Sequence, residues 1–300
     1  MHSSRRQSDR LKTIAYFLRV ANESQRILLI YWQRPAPLEH FLQPPPDGLD
    51  WRVPDWMKIN FWKNPIIRGT DQSSRAVERK HLVVVDGRIQ DTNGGGAYYN
   101  EHRAEGEPPM REVLGGVWRK LFVPSDAVQR RLDEQTKKLG LTPGKYVAVH
   151  ARLKYQQEFG RRPTTKRIQN AINCIVSMQP NTPIFLASDS TSALEIGIEY
   201  GVQKSLNVVA RLDEPPPLHL DKGANFLAGP REKVTHLANE NPEDYYDVFV
   251  DLFLLAQSSC VGFDVGGYGR WGSMLSTNPK CNIDHLKNTC PLPTTPGTKE

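Results

Sequence analysis

The chain has 300 residues, 38% of them hydrophobic and 24% charged. That composition describes a folded globular protein long enough for one large or two ordinary domains. Its formal charge of +6 is spread without a Lys/Arg block, which argues against a dedicated nucleic-acid surface and suits a small anionic ligand. No apolar run approaches the roughly 18–20 residues of a membrane span, and Met1–Arg10 carries charge without the apolar centre of a signal peptide.

In chain order, Ser8 or Asp9 can cap a helix in which Leu11, Ile14, Ala15, Leu18 and Ala21 recur at helical spacing. Asn22-Glu-Ser24 is a glycosylation sequon within it. Arg26–Trp32 predicts a buried strand. Residues 33–80 are rich in proline and tryptophan and lack periodicity, which predicts a surface excursion. Leu82–Val85 predicts a short strand ended by Asp86-Gly87. Asn93-Gly-Gly-Gly96, followed by Tyr98-Tyr99, reads as a plain loop, because the Lys-Ser/Thr of a phosphate-binding loop does not follow it. Helices are expected over Val113–Phe122 and Ser125–Leu139, and Gly140 with Pro143 closes a first half.

From Tyr146 strands and helices alternate. Strands fall at 146–150, 184–187, 206–210 and 260–263. Helices run from Thr165, over Ser192–Tyr200, over Asp244–Ala256 (with an amphipathic run at Val248–Ala256) and near Trp271–Leu275. A polar loop covers 213–240 and a Gly266-Gly267-Tyr268-Gly269 turn precedes the last helix. Such alternation predicts a parallel sheet with right-handed crossovers. Of the four cysteines, Cys174 and Cys260 lie in apolar segments and are expected as buried thiols. Cys281 and Cys290 flank a short polar loop and can pair in an oxidising compartment.

Three strand ends carry polar residues: His150/Arg152/Lys154, Ser188/Asp189/Ser190, and Asp264 through Tyr268. At the carboxyl edge of a parallel sheet they should converge on one crevice. Arginine contacts phosphate in a planar fork. A carboxylate can accept from a ribose or a base, glycines admit close approach, and Tyr268 can stack. Each has a simpler alternative: Asp189 as a helix cap, Asp251 as a buried hydrogen-bonded or a solvated acid, His150 as a core histidine.

The order His150-x-Arg152, Phe185-Leu-Ala-Ser-Asp189, then Asp251-Leu-Phe-Leu-Leu-Ala with a Gly-rich turn resembles the successive motifs of the GDP-fucose-dependent fucosyltransferases. Gln7-Ser-Asp-Arg10-Leu-Lys is similar to that family's opening loop, and Arg26–Glu39 with Asp50–Pro54 resembles its plant and algal O-fucosyltransferase-like branch. The resemblance spans about residues 7–277. It implies an α/β, GT-B-like fold, with two Rossmann-like halves whose parallel sheets face a cleft. The halves would be an acceptor-side domain over 1–140 and a GDP-sugar domain over 141–300. It implies an inverting transfer of L-fucose from GDP-β-L-fucose to a protein or glycan hydroxyl, with the nucleotide sugar as donor substrate and no metal or other cofactor. Carried over by position, Arg152 and His150 are the catalytic pair around the donor phosphate. Arg10, Asp189, Ser190, Asp251, Gly267 and Tyr268 would line the substrate site. The family's compartment is the Golgi or endoplasmic reticulum lumen. Leu153 and Tyr155 stand where several relatives carry Arg and Asp, Ser190 where a second acid stands, and Gly267 where serine is frequent. These substitutions define a second expectation, a non-catalytic relative that binds a glycan or protein partner.

Overall fold

A computed structural model describes residues 14, 17–18, 21–22, 25–32, 35–58, 66–68, 84–86, 105–106, 108, 110–153, 164–212 and 240–291. The expectations for Arg10, the loop at 93–96, Tyr98-Tyr99, Lys154, Tyr155 and the loop at 213–239 lie outside them. The chain divides into two compact units, Met1–Ser125 with Leu237–Glu240, and Asp126–His236 with Asn241–Glu300.

In the first unit, β1 (Leu42–Gln43), α1 (Asp55–Lys58), β2 (Ile66–Arg68), β3 (Val84–Asp86), α2 (Met110–Leu121) and β4 (Val123–Pro124) follow in order. β1 pairs antiparallel with β4, and β2 parallel with β3. Leu114, Trp118 and Leu121 recur at helical spacing and are buried. Of the proline-rich stretch, residues 35–58 are described: Leu38, Phe41, Leu42, Trp51 and Val53 are buried while Trp56 is 71% exposed, so that part is largely core and not a surface excursion. Trp51 is fully buried. Its ring lies 5.3 Å from Phe122 and its Nε1–H donates to the Leu121 carbonyl at 2.5 Å. A tryptophan with a partner for its N–H orders a segment that has no periodicity of its own.

Arg26–Trp32 is a second correction. Among the described residues it pairs through a single bridge, Ile30 to Arg52, and Ile27 is 83% exposed. An apolar run becomes a strand only where a neighbour takes its backbone groups, and the run alone does not reveal whether one is present.

The second unit holds α3 (Asp126–Lys138), β5 (Val147–Ala151), α4 (Thr164–Met178), β6 (Ile184–Ser188), α5 (Thr191–Gln203), β7 (Val208–Val209), α6 (Tyr246–Ala256), β8 (Val261–Phe263), α7 (Gly267–Leu275) and β9 (Asn282–Asp284). The expected boundary near residue 140 would place α3 in the first half; it packs here, against α6. Its five strands form one parallel sheet in the order β7-β6-β5-β8-β9. The α/β class expected from the alternation is the observed one. The Gly266–Gly269 turn is in fact largely the first turn of α7, since Gly267 already lies in the helix. β9 has no counterpart among the expected strands, because three residues with two polar members carry almost no strand signal.

α4 covers β5 and β8 on one face, where Val147, Val149, Leu153, Ile168 and Ile172 share a core. α6 covers β5 and β6, and its run from Val248 to Leu255 is buried all round. It is therefore a core helix and not the expected amphipathic one, because α3 and α7 close the side away from the sheet.

All four cysteines pair, as Cys174–Cys290 and Cys260–Cys281, with Cα separations of 4.9 and 4.8 Å. This corrects the expected thiols at Cys174 and Cys260; Cys281 and Cys290 are both oxidised, but not to each other. Parallel pairing of β8 with β9 sets the starts of the two strands side by side, so Cys281 meets Cys260 instead.

Candidate functional site

β5 has its odd-numbered residues in the core beneath α4, so His150 and Arg152 take the opposite face. From β5 the chain builds outward through β6 to β7 on one side and through β8 to β9 on the other. The sheet's topological switch point therefore lies just beyond β5 and β8, where ligands of such sheets bind. Arg152 stands there and is 8% exposed. Gly266 follows β8 with φ of +97°, and a Cβ on it would lie 3.0 Å from Arg152 Nη1. It is the N-cap of α7 and, as glycine, has no side chain with which to cap that helix. A helix N-terminus with a glycine N-cap beside a guanidinium favours an anion.

The His150 ring lies 5.2 Å from that of Tyr268, and a Cβ on Gly269 would stand 2.7 Å from its Nδ1. Only glycine at 269 lets α7 approach this closely. His150 Nδ1 is buried without a hydrogen-bond partner among the described residues, and Asp264 Oδ1 is 3.9 Å away. Burial first, then the Arg152 and His285 charges, push the imidazole pKa down to about 3, so it is neutral at physiological pH. His285 Nε2 lies 3.2 Å from the His150 carbonyl oxygen.

The carboxylates are all engaged. Asp189 Oδ1 accepts the Leu153 N–H at 2.7 Å, and its Oδ2 is 3.9 Å from Arg152 Nε. It does not cap α5, whose N-cap is Ser190. The Ser190 hydroxyl pairs with that of Ser192 at 3.0 Å. Asp264 accepts the Arg152 N–H on both oxygens, at 3.1 and 3.0 Å, and Arg167 Nη2 donates to it at 2.9 Å. Asp251 is the buried, hydrogen-bonded acid of the alternatives: it accepts from Arg211 Nη1 at 2.9 Å, and Arg211 Nη2 reaches Asp247 at 2.7 Å. Burial pushes the Asp251 carboxyl up, opposed by Arg211. Tyr268 donates its hydroxyl to the Val248 carbonyl of α6, so that group ties two helices together.

His150, Arg152, Asp189, Ser190, Gly267 and Tyr268 thus lie around the ends of β5, β6 and β8, whereas Asp251 belongs to the α6 layer. Two arginines escaped sequence reasoning. Arg211 directly follows the strand run Val208-Val-Ala, the same strand-end signal that singled out Arg152. Arg167 sits one turn before Ala171 on the apolar stripe of α4, where an unexplained cation was the visible clue.

Burial raises the Asp264 carboxyl from 3.8 to about 7, against the hydrogen bond from the Arg152 N–H and the charge of Arg167. Its folded-state pKa is above the unfolded one, so its contribution to stability is full below about pH 4. It is lost as pH rises through 7. Relative to Asp264→Asn, the melting temperature of the wild type is expected to fall steadily between pH 4 and 7. A difference between the two proteins that stays constant across that range would contradict the assignment.

A parallel α/β sheet with a guanidinium and a glycine N-cap at its switch point offers a place for an anion. No protein-family model matches the chain, and no curated protein sequence matches it. Solved structures do. Arabidopsis thaliana FUT1 in complex with GDP superposes at a TM-score of 0.55 and 11% identity, over 90% of this chain. The chain spans 66% of that protein's length. The Bradyrhizobium α-1,6-fucosyltransferase NodZ, soaked with GDP-fucose, matches at a TM-score of 0.51 and 16% identity, over 91% of this chain and 90% of its own. The likeness is one of fold, and the fold is that of GT-B fucosyltransferases.

Proposed function

We propose that the chain is a fucosyltransferase-like glycosyltransferase. It binds GDP-β-L-fucose beyond β5 and β8 and transfers fucose, with inversion, to a hydroxyl of a protein or glycan acceptor. One observation carries this: Arg152 stands beside Gly266, the glycine N-cap of α7, with the neutral imidazole of His150 alongside, its Nδ1 without a hydrogen-bond partner among the described residues. The fold shared with proteins solved with GDP and GDP-fucose supports the choice of nucleotide. In the reaction, the acceptor oxygen attacks the anomeric carbon from the face opposite the diphosphate. The sugar–phosphate bond breaks, its electron pair leaves with GDP, and the acceptor proton passes to a base. Arg152 and the α7 amides meet the charge that develops on GDP, which requires no metal ion. His150 would orient the phosphate side of the donor. Ser190, Gly267 and Tyr268 would shape the nucleoside side. Two disulfides suit an oxidising lumen, Golgi or endoplasmic reticulum.

A second reading, a glycan- or protein-binding relative without transfer activity, draws on a specific observation. Asp189, Asp251 and Asp264 are each committed to a partner, and none stands ready as the acceptor's base. A thermal-shift panel of nucleotides and nucleotide sugars tests the first reading: GDP and GDP-fucose are expected to raise the melting temperature, ADP and UDP not to. No shift with millimolar GDP in a folded sample would sink it. Release of fucose from GDP-fucose, lost in Arg152→Ala, excludes the second reading.

A further inference from the structure

The hydrogen-bond ladder of β5 ends at Ala151, opposite Ser188 of β6. The next two backbone N–H groups, of Arg152 and Leu153, lie past the strand and would otherwise need water. Each is instead taken by a carboxylate one residue beyond a neighbouring strand. Asp264, after β8, accepts the Arg152 N–H on both oxygens at 3.1 and 3.0 Å. Asp189, after β6, accepts the Leu153 N–H at 2.7 Å. Arg167 reaches in from α4 and holds Asp264 at 2.9 Å while touching the Arg152 carbonyl at 3.4 Å.

We propose that Asp189 and Asp264 are positioning residues, a pair of acids flanking β5 that grips two successive backbone amides and fixes the direction from which Arg152 meets its ligand. Carboxylates suit this task because charge-assisted bonds to backbone N–H groups are shorter and stronger than neutral ones. The arrangement also explains how two acids can stand in a site for an anion. Asp189 Oδ1 is turned onto the Leu153 N–H while its Oδ2 faces Arg152 Nε at 3.9 Å, and both Asp264 oxygens are turned onto the Arg152 N–H, one of them also onto Arg167, so the protein's own donors engage both acids. Asp189, which the resemblance places against the nucleotide, is thereby assigned to the protein's own chain. The grip stands on the geometry of this unit alone, whereas its consequence for GDP rests on the function proposed above.

Amide exchange followed by NMR on the full chain tests the grip directly. Asp264→Ala is expected to speed exchange of the Arg152 amide at least tenfold, and Asp189→Ala that of Leu153, with Val149 in mid-strand unchanged. Asp189→Asn, whose amide oxygen still accepts, should restore slow exchange at Leu153, which a loss of general stability would not do. Asp189→Ala, at the more exposed of the two positions, carries the measurement alone if Asp264→Ala fails to fold. GDP titration supplies the second arm: both alanine variants should bind about tenfold more weakly than the wild type. Unchanged exchange at both amides overturns the grip whether or not GDP binds. Faster exchange with undiminished GDP affinity overturns the positioning of Arg152. A wild type that binds no GDP overturns the nucleotide reading, and exchange then decides the grip by itself.

Discussion

Arg152→Ala is expected to remove nearly all of the melting-temperature rise that GDP gives the wild-type chain. A hydrogen bond to a charged group is worth about 1.5–3 kcal/mol, so losing the guanidinium should weaken GDP about 10- to 100-fold. At a GDP concentration of about a hundred times the wild-type Kd, ligand stabilisation is about 2.7 kcal/mol. With a Kd a hundredfold higher it falls to about 0.4 kcal/mol, close to the limit of a thermal shift. The backbone at this position is held through its N–H by Asp264, so the alanine variant should keep its fold and its unliganded melting temperature should move little. Arg152→Lys is the informative companion, since it retains the charge but not the planar fork and should recover only part of the shift. A folded Arg152→Ala protein with a full GDP shift would remove this residue from the site.

The largest expected loss of stability comes from the other end of the sheet. Cys174 and Cys290 are 116 residues apart in sequence. In the chain-entropy account, cross-linking a loop of that size stabilises by about 4–5 kcal/mol, against about 3 kcal/mol for the 21-residue separation of Cys260 and Cys281. Cys174→Ala/Cys290→Ala should therefore shift the urea midpoint further than Cys260→Ala/Cys281→Ala does. The effect should reach the site. Asn170 of α4 accepts the Cys290 N–H at 3.0 Å and donates to the His285 carbonyl at 2.8 Å. His285 in turn lies against the His150 carbonyl. Releasing the 282–290 segment frees the outer support of the strand that bears His150 and Arg152. A urea midpoint unmoved by full reduction, with four thiols titrated, would exclude the pairing.

How much of this was legible depended on whether a local signal existed. The alternation from Tyr146 onward carried the sheet, because a strand and its crossover helix each imprint their own period on the chain. His150 and Arg152 were visible for the same reason: polar residues on alternate positions at the end of a β-branched run mark a strand leaving the core. Trp51 was not, because its partners, Leu121 and Phe122, lie about seventy residues away and no periodicity announces it. Arg26–Trp32 misled in the opposite direction, an apolar run whose ladder partner is almost absent among the described residues. The cysteines misled through proximity in sequence, which a parallel β8–β9 pair overrides.

Residue order alone carried the α/β class of the C-terminal half and the positions of its polar strand ends, Arg152 among them. Those properties follow from residue order along single elements. Only the tertiary structure decided what each acid does. Asp189, Asp251 and Asp264 are equivalent as letters, yet one grips the Leu153 amide, one pairs with Arg211 and one shares the Arg152 amide with Arg167. A carboxylate's role is set by the donors within about 3 Å of it. Here those donors come from 36 to 112 residues away in the chain, a distance across which sequence pattern carries no information about contact.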